Sequence, residues 1–163
     1  MSATENIYTC CFTGHRNIPD SHADDICRVL DKVIENFIEY GTTVFRAGGA
    51  IGFDTVAALK IIEKKAKYPH VRLELFLPYR EQSKGWNDEN KAAYNYVLDN
   101  ADKITYTAES YFKGCMMLRN RRLVDGADLC IAYCTQSGGS AYTLRYAQAQ
   151  GLRTINIASM LNK

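Results

Sequence analysis

The chain has 163 residues, of which 47% are hydrophobic and 23% are charged, values typical of one globular domain with an ordinary core. Its net charge of +2 argues against a surface built for duplex DNA or an anionic membrane. No apolar run reaches transmembrane length and the N-terminus lacks a signal-peptide pattern, so we expect a single cytoplasmic domain over residues 1–163.

Apolar runs alternate with segments of helical periodicity along the chain. Strands are predicted at Ile7–Phe12, Thr43–Arg46, Arg72–Leu77, Lys103–Tyr106, Leu129–Tyr133 and Thr154–Ile157. The first helix carries an apolar stripe from Ile26 to Ile38 and ends at Gly41, and the later helices are predicted at Asp54–Lys67, Asn87–Ala101, Tyr111–Gly126 and Ser140–Gln150.

This alternation predicts an α/β fold of the Rossmann-like, doubly wound type. It should contain a mostly parallel sheet of about six strands with helices on both faces, because parallel neighbours need crossover connections. In such folds ligands bind outside the carboxyl ends of the strands, near the switch in strand order. Turns that follow strands should therefore meet at one edge of the sheet.

The six cysteines give no sign of a disulfide framework or of a zinc site. Cys10, Cys11 and Cys130 lie inside apolar runs, where cysteine behaves as a small hydrophobe, and no CxxC pair is present. We expect buried thiols, with neither metal nor cofactor.

The turn after the first strand contains Thr13, Gly14, His15 and Arg16. Gly14 permits a tight turn, while His15 and Arg16 can hold a phosphate or a sugar. The alternative is a surface turn in which His15 caps a helix and Arg16 pairs with Asp20, Asp24 or Asp25.

The turn after the second strand is rich in glycine and opens a helix. Gly48, Gly49 and Gly52 can take positive φ and let a ligand approach the main chain, and the helix start suits a phosphate. The pattern is neither the dinucleotide fingerprint nor a P-loop. We predict anion binding here, at Gly48, Gly49, Ala50, Gly52 and Asp54; the alternative is a simple connection in which Asp54 stabilises the helix start.

Three later segments complete the candidate site. In the loop after the third strand, Gln82 and Trp86 can hold a base by stacking and edge hydrogen bonds, or else pack over the core. Arg119 and Asn120 lie in an arginine-rich helix that can neutralise a phosphate, or else presents a solvated face that includes Arg121 and Arg122. A second glycine turn precedes the last long helix, and Gly138, Gly139 and Ser140 suit phosphate or ribose there, with Ser140 as a mere helix cap in the alternative reading.

Five motifs in this order resemble the DUF1273 proteins of the SLOG superfamily. They are CCFTGHR (10–16), FRAGGAIGFDTVAA (45–58), LPYREQSKGWN (77–87), YFKGCMMLRNRRLVDGADLCIAY (111–133) and GGSAYTLRYA (138–147). This group includes YpsA-like proteins and is related to the lysine-decarboxylase-like phosphoribohydrolases and to the Rossmann domain of DprA. The resemblance, which runs from about Tyr8 to Ile157, implies a pocket for nucleotide-derived molecules such as ADP-ribose-type signals.

The resemblance also bears on catalysis. Arg119 lies where the phosphoribohydrolases carry an arginine, and Asn120 replaces their lysine. Their Pro-Gly-Gly-x-Gly-Thr-x-x-Glu turn loses its proline, third glycine and glutamate here, and Arg145 occupies the glutamate position. An arginine there would oppose an oxocarbenium-like sugar.

We therefore expect a module that binds a nucleotide-derived small molecule, such as an ADP-ribose-type or cyclic-nucleotide signal, as a sensor or sequestering protein. The alternative is a nucleoside 5′-monophosphate N-glycosidase in which Asp54 or Glu81 replaces the missing glutamate. Nucleic acid and membrane partners are not expected, and self-association is, because related proteins often form oligomers.

Overall fold

The computed structural model of the chain describes residues 6–136 and 138–161. Its strands are β1 (Thr9–Gly14), β2 (Val44–Ala47), β3 (Arg72–Leu77), β4 (Lys103–Tyr106), β5 (Leu129–Tyr133) and β6 (Arg153–Asn156). Its α-helices are α1 (Asp20–Glu39), α2 (Phe53–Lys64), α3 (Asp88–Asn100), α4 (Cys115–Val124) and α5 (Gly139–Ala149), and a short 3-10 helix covers Ile157–Met160.

The six strands form one sheet in the order β4-β3-β2-β1-β5-β6, and each neighbouring pair in it is parallel. The chain first builds outwards from β1 to β4 and then returns to add β5 and β6 on the other side of β1. The strand order therefore switches between β1 and β5. The predicted Rossmann-like doubly wound fold is confirmed, with a sheet that is parallel throughout these pairs.

Helices cover both faces of the sheet. Successive residues of a strand point to opposite sides, and a parallel sheet is typically buried on both of them. Cys10 and Phe12 of β1 face the core beneath α1, α2 and α3, whereas Cys11, with Cys130 of β5, faces the smaller core beneath α4 and α5. All six cysteines are free thiols, and four of them are buried. None of the described helices has the length and apolar character needed to cross a membrane.

Local sequence explains where the helices begin and end. The buried side chains of α1 recur at helical spacing from Ile26 to Ile38, and Gly41 follows its end with a φ of 111° that favours glycine. The side chain of Asn87 accepts a hydrogen bond from the N–H of Asn90 at 2.8 Å and caps α3.

Several predicted boundaries were wrong. The first strand lies two residues later than predicted, because Thr13 and Gly14 pair with Ala132 and Tyr133 of β5. The predicted helix at 111–126 begins only at Cys115, after Gly114 with a φ of 96°, and the predicted helix at 54–67 ends at Lys64. The last strand, predicted to reach Ile157, ends at Asn156, whose side chain caps the 3-10 helix.

Candidate functional site

A pocket opens at the carboxyl edge of the sheet, where the strand order switches between β1 and β5. Its volume is about 290 Å³. Of the residues predicted from the sequence, those that line it are Thr13, Gly14, His15, Arg16, Ala50, Asp54, Arg119, Asn120, Gly139 and Ser140. The turns after β1, β2 and β5 thus meet at one edge, as the pattern predicts.

Other predicted residues lie behind or beside this pocket and do not line it: Gly48, Gly49, Gly52, Gln82, Trp86 and Gly138. Sequence reasoning also missed the apolar part of the wall, which is formed by Phe12, Met116, Met117 and Leu123. A signal for the methionines was available, because Met116 lies three residues before Arg119, on the same side of α4.

The turn after β1 is held to both of its neighbours through His15. The N–H of His15 donates to the carbonyl of Tyr133 at 3.3 Å, and the carbonyl of His15 accepts from the N–H of Phe53, the first residue of α2, at 3.1 Å. Its ring Nε2 accepts from the N–H of Thr135 at 2.8 Å, so the proton of the neutral ring is on Nδ1. His15 therefore fixes the β1 turn to the β5 turn on one side and to α2 on the other.

The glycines of the turn after β2 are explained by the protein's own atoms, which corrects the expectation that they leave room for a ligand. A Cβ on Gly52 would lie 2.2 Å from the carbonyl oxygen of Arg16, and one on Gly49 would lie 2.4 Å from a methyl of Leu77. At Gly48 the same position is 2.8 Å from Asp54 Oδ2 and 2.9 Å from Arg119 Nη1. These residues are glycine because the chain packs tightly here.

The turn after β5 is different. Gly138 has a φ of 136°, which favours glycine, and apart from chain neighbours no atom of the described residues lies within 4 Å of a Cβ built on Gly138 or Gly139. Helix α5 begins at Gly139, and the described residues give it no side-chain cap, since Gly138 has no side chain. As at any helix start, its first N–H groups have no partner within the helix. Together with the helix dipole, these groups suit an anion at the pocket wall formed by Gly139 and Ser140.

Two buried charged groups face the pocket behind the glycine turns. Arg119 is 5% exposed; its Nη1 donates to the carbonyl of Gly48 and its Nε donates to Asn120 Oδ1 at 2.9 Å. Asp54 is 7% exposed and accepts from the N–H of Ala50 at 3.2 Å. No salt bridge joins the two side chains among the described residues.

Burial dominates the electrostatics of this pair. It raises the pKa of Asp54, although the positive charges of Arg119 and Arg16 act in the opposite direction. It lowers the pKa of Arg119, which the charge of Asp54 partly offsets. Asp54 is thus a carboxyl group that keeps its proton to higher pH than an exposed aspartate, beside a cation that is also poorly solvated.

This raised pKa predicts how stability changes with pH. Because the pKa of Asp54 is higher in the folded state than in the unfolded chain, where it is about 3.9, its contribution to stability is complete below the unfolded value. That contribution is lost as the pH rises through the folded value. We therefore compare the free energies of unfolding of Asp54→Asn and of the unchanged protein by urea denaturation between about pH 4 and pH 8. We expect the value for the variant minus the value for the unchanged protein to increase as the pH rises, because only the unchanged protein loses stability.

Asp31→Asn is the matched control for this experiment. A hydrogen bond from Lys64 is the main cause that lowers the pKa of Asp31, so the contribution of Asp31 to stability is already complete just above the unfolded pKa of about 3.9. The stability of Asp31→Asn relative to the unchanged protein should therefore stay nearly level between about pH 5 and pH 8. An Asp54→Asn variant whose relative stability is equally level over that range would contradict the raised pKa of Asp54.

The remaining predicted residues have structural partners. Gln82 Nε2 lies 3.5 Å from the carbonyl of Gly49 and 3.3 Å from the hydroxyl of Tyr94, and the ring of Trp86 meets that of Tyr94 edge-on at 5.3 Å between centroids. These contacts match the alternative in which Gln82 and Trp86 pack over the core.

Two arginines named in the sequence analysis lie outside the pocket lining. Arg121 donates to the hydroxyl of Tyr142 on α5, and the exposed Arg145 does not line the pocket.

The chemistry available is therefore that of anion and hydroxyl binding. Arginine groups and helix N–H groups can hold phosphate, and a carboxyl can accept from sugar hydroxyls. Within residues 6–136 and 138–161, no three His, Cys, Asp or Glu side chains come together to hold a metal ion.

Comparison with known proteins agrees with this fold. Of the solved structures, DNA processing protein A from Helicobacter pylori, described as having a single-stranded DNA binding mode, is similar with a TM-score of 0.62 and 15% identity. The match covers 91% of this chain but only 64% of that one, so this chain spans less than two thirds of the length of DNA processing protein A. At this identity the likeness shows the fold alone.

The relatives found by sequence identify the family of the chain, which the structural likeness alone does not. A UPF0398 protein from Bacillus thuringiensis (strain Al Hakam) is 28% identical over 134 residues, which cover 77% of this chain and 71% of the relative. A UPF0398 protein from Bacillus cereus (strain B4264) is 27% identical over the same length. The YpsA model, described as the YspA SLOG family, matches residues 10–160, and the chain therefore belongs to the YpsA SLOG family.

Proposed function

We propose that this protein binds a nucleotide-derived small molecule in the pocket between β1 and β5, as a sensor or as a sequestering module. The observation that supports the proposal is the convergence of Arg16, Arg119 and the start of α5 on one pocket at the topological switch point. A ligand with a phosphate and a sugar, of the ADP-ribose or cyclic-nucleotide type, matches these groups.

Each part of such a ligand has a partner in the pocket. A phosphate fits the N–H groups at the start of α5 and the exposed guanidinium of Arg16. Sugar hydroxyls fit Asp54, whose carboxyl accepts hydrogen bonds when it is ionised. Arg119 contributes positive charge from behind, while its Nη1 stays bound to the carbonyl of Gly48.

Isothermal titration calorimetry with ADP-ribose, NAD, cyclic ADP-ribose, AMP, a cyclic dinucleotide and ribose 5-phosphate tests the proposal. We expect at least one nucleotide to bind in the micromolar range, and the same compound to be recovered intact after long incubation. A panel in which no compound binds more tightly than millimolar would refute the proposed function.

Gly139 offers a sharper test, because the space beside it is open. A methyl at this position meets no protein atom, so Gly139→Ala should change the unfolding free energy by no more than about 1 kcal/mol. The methyl would stand where the phosphate approaches the backbone, so we expect nucleotide affinity to fall by about tenfold, or roughly 1.4 kcal/mol. An unchanged affinity, with chemical denaturation confirming a native fold, would place the phosphate elsewhere.

The alternative function is a nucleoside 5′-monophosphate N-glycosidase. It is favoured by one observation: Asp54 is a buried pocket carboxyl with a raised pKa, as a general acid requires. Glu81, the other candidate from the sequence, is exposed and does not line the pocket. Release of free base from AMP by the unchanged protein, lost in Asp54→Asn, would establish the enzyme and replace the binding-only proposal.

We further propose that the chain acts in the cytoplasm, as a homo-oligomer, without nucleic acid or membrane partners. Six free thiols, four of them buried, are typical of a reducing compartment. The near-neutral net charge supports the view that nucleic acid is not the ligand. Binding of single-stranded DNA that weakens steeply with salt would contradict this part of the proposal.

A further inference from the structure

Four aromatic side chains and one arginine lie at the carboxyl edge of the sheet, after β3 and β4 and before α4. We call this group the aromatic shelf; it consists of Tyr79 and Arg80, which follow β3, Tyr106 at the end of β4, and Tyr111 and Phe112 in the segment before α4. Tyr111 is 65% exposed and Phe112 is 46% exposed, so both rings are available for contact.

The shelf residues contact one another across loops that are distant in sequence. The rings of Tyr79 and Tyr111 meet edge-on at 5.9 Å between centroids. The guanidinium carbon of Arg80 lies 4.3 Å from the ring centroid of Tyr106. These contacts join the loop after β3 to the segment after β4, and they leave most of Tyr111 uncovered.

The start of α4 links the shelf to the pocket. The N–H of Cys115 donates to the carbonyl of Phe112 at 3.0 Å, and the next two residues, Met116 and Met117, line the pocket. The shelf residues do not line the pocket themselves, so only a ligand that extends past the start of α4 would reach them.

The size of the pocket indicates which part of a nucleotide must lie outside it. At about 290 Å³ the pocket is at the lower limit of the roughly 300–1,000 Å³ found for sites that enclose a whole drug-sized ligand. Its polar lining consists of Thr13, His15, Arg16, Asp54, Arg119, Asn120 and the start of α5, groups that can hold sugar and phosphate.

We propose that the aromatic shelf is the base subsite of this pocket: the phosphate and ribose of the ligand are enclosed between β1 and β5, and its base stacks outside on Tyr111 and Phe112. This inference rests on the proposed function. Stacking on aromatic rings accepts any base, because each base has a π face, and the nearby Arg80 adds a cation that can pair with π systems. The subsite thus provides affinity for nucleotides over bare sugar phosphates.

Comparing AMP with ribose 5-phosphate tests the shelf, because the two probes share the sugar phosphate and differ by the base. Calorimetry is run on the full chain, on Tyr111→Ala, on Phe112→Ala and on the double variant. Tyr40→Ala is the matched control, since Tyr40 is 87% exposed and follows α1 at the opposite edge of the sheet. We expect each shelf variant to bind AMP roughly tenfold more weakly, with ribose 5-phosphate unchanged.

The outcomes separate this inference from the proposed function. If AMP binds and the shelf variants bind it as tightly as the Tyr40→Ala control, the subsite is refuted while nucleotide binding stands. If the shelf variants bind both ribose 5-phosphate and AMP more weakly, the rings support the shape of the pocket rather than contact the base. The base assignment is again refuted. If no nucleotide of the panel binds the unchanged protein, both proposals fail; ADP-ribose replaces AMP as the probe if it is the tighter ligand.

Discussion

Gly52→Ala is expected to destabilise the protein by roughly 3–5 kcal/mol, a large part of the 5–15 kcal/mol that typically holds a domain folded. The physical reason is a collision between backbones, since the new Cβ would lie 2.2 Å from the carbonyl oxygen of Arg16. The backbone of Gly52, with φ 88° and ψ −124°, lies in a region that residues with a side chain rarely adopt, which adds about 1–3 kcal/mol of strain. Urea denaturation followed by circular dichroism measures the loss.

Gly151→Ala is the control for a positive φ without a collision. Gly151 has a φ of 86°, and outside its chain neighbours no atom of the described residues lies within 4 Å of its Cβ position. This control should therefore cost only the strain of a positive φ, about 1–2 kcal/mol. If the two alanine variants were equally stable, the β1 and β2 turns would not be interlocked at Gly52 as described.

Arg16→Ala is expected to weaken nucleotide binding by about 10- to 100-fold, or roughly 1.5–3 kcal/mol, the usual value of a hydrogen bond to a charged group. Because Arg16 is exposed, the unfolding free energy should change by no more than about 0.5 kcal/mol. Calorimetry with the tightest nucleotide of the panel, together with urea denaturation, measures both quantities.

The matched control is Arg72→Ala. Arg72 is also an exposed arginine, but it begins β3 and so lies at the opposite, amino edge of the sheet. Its removal should leave nucleotide affinity unchanged. A comparable loss in both variants would mean that the ligand responds to the net charge of the protein rather than to a phosphate contact with Arg16.

Hydrophobic pattern was sufficient to predict the fold and the position of the candidate site. The bounds of β3, β4 and β5 agree with the structure. β1 was placed too early because Thr13 and Gly14 look like turn residues in isolation, and only their pairing with β5 makes them part of the strand. The meeting of three turns at one edge follows from the parallel topology alone, without any side-chain detail.

The roles of individual glycines could not be predicted in the same way. A glycine that makes room for a ligand and a glycine that makes room for a neighbouring loop are identical in sequence. The difference between Gly52, which touches Arg16, and Gly139, which faces open space, depends on tertiary packing. The same holds for Trp86, whose contact with Tyr94 is made only when the loop after β3 folds back onto α3.

The unequal packing of the three turns has an evolutionary consequence. The turns after β1 and β2 constrain each other through Gly52 and Phe53, so a substitution in either one forces a compensating change in the other. The turn after β5 is tied to the β1 turn at Thr135, but no atom of the described residues crowds the Cβ positions of Gly138 and Gly139. Substitutions at these two positions therefore need no repacking of the other two turns, and we expect tolerated sequence changes at this edge of the sheet to concentrate there.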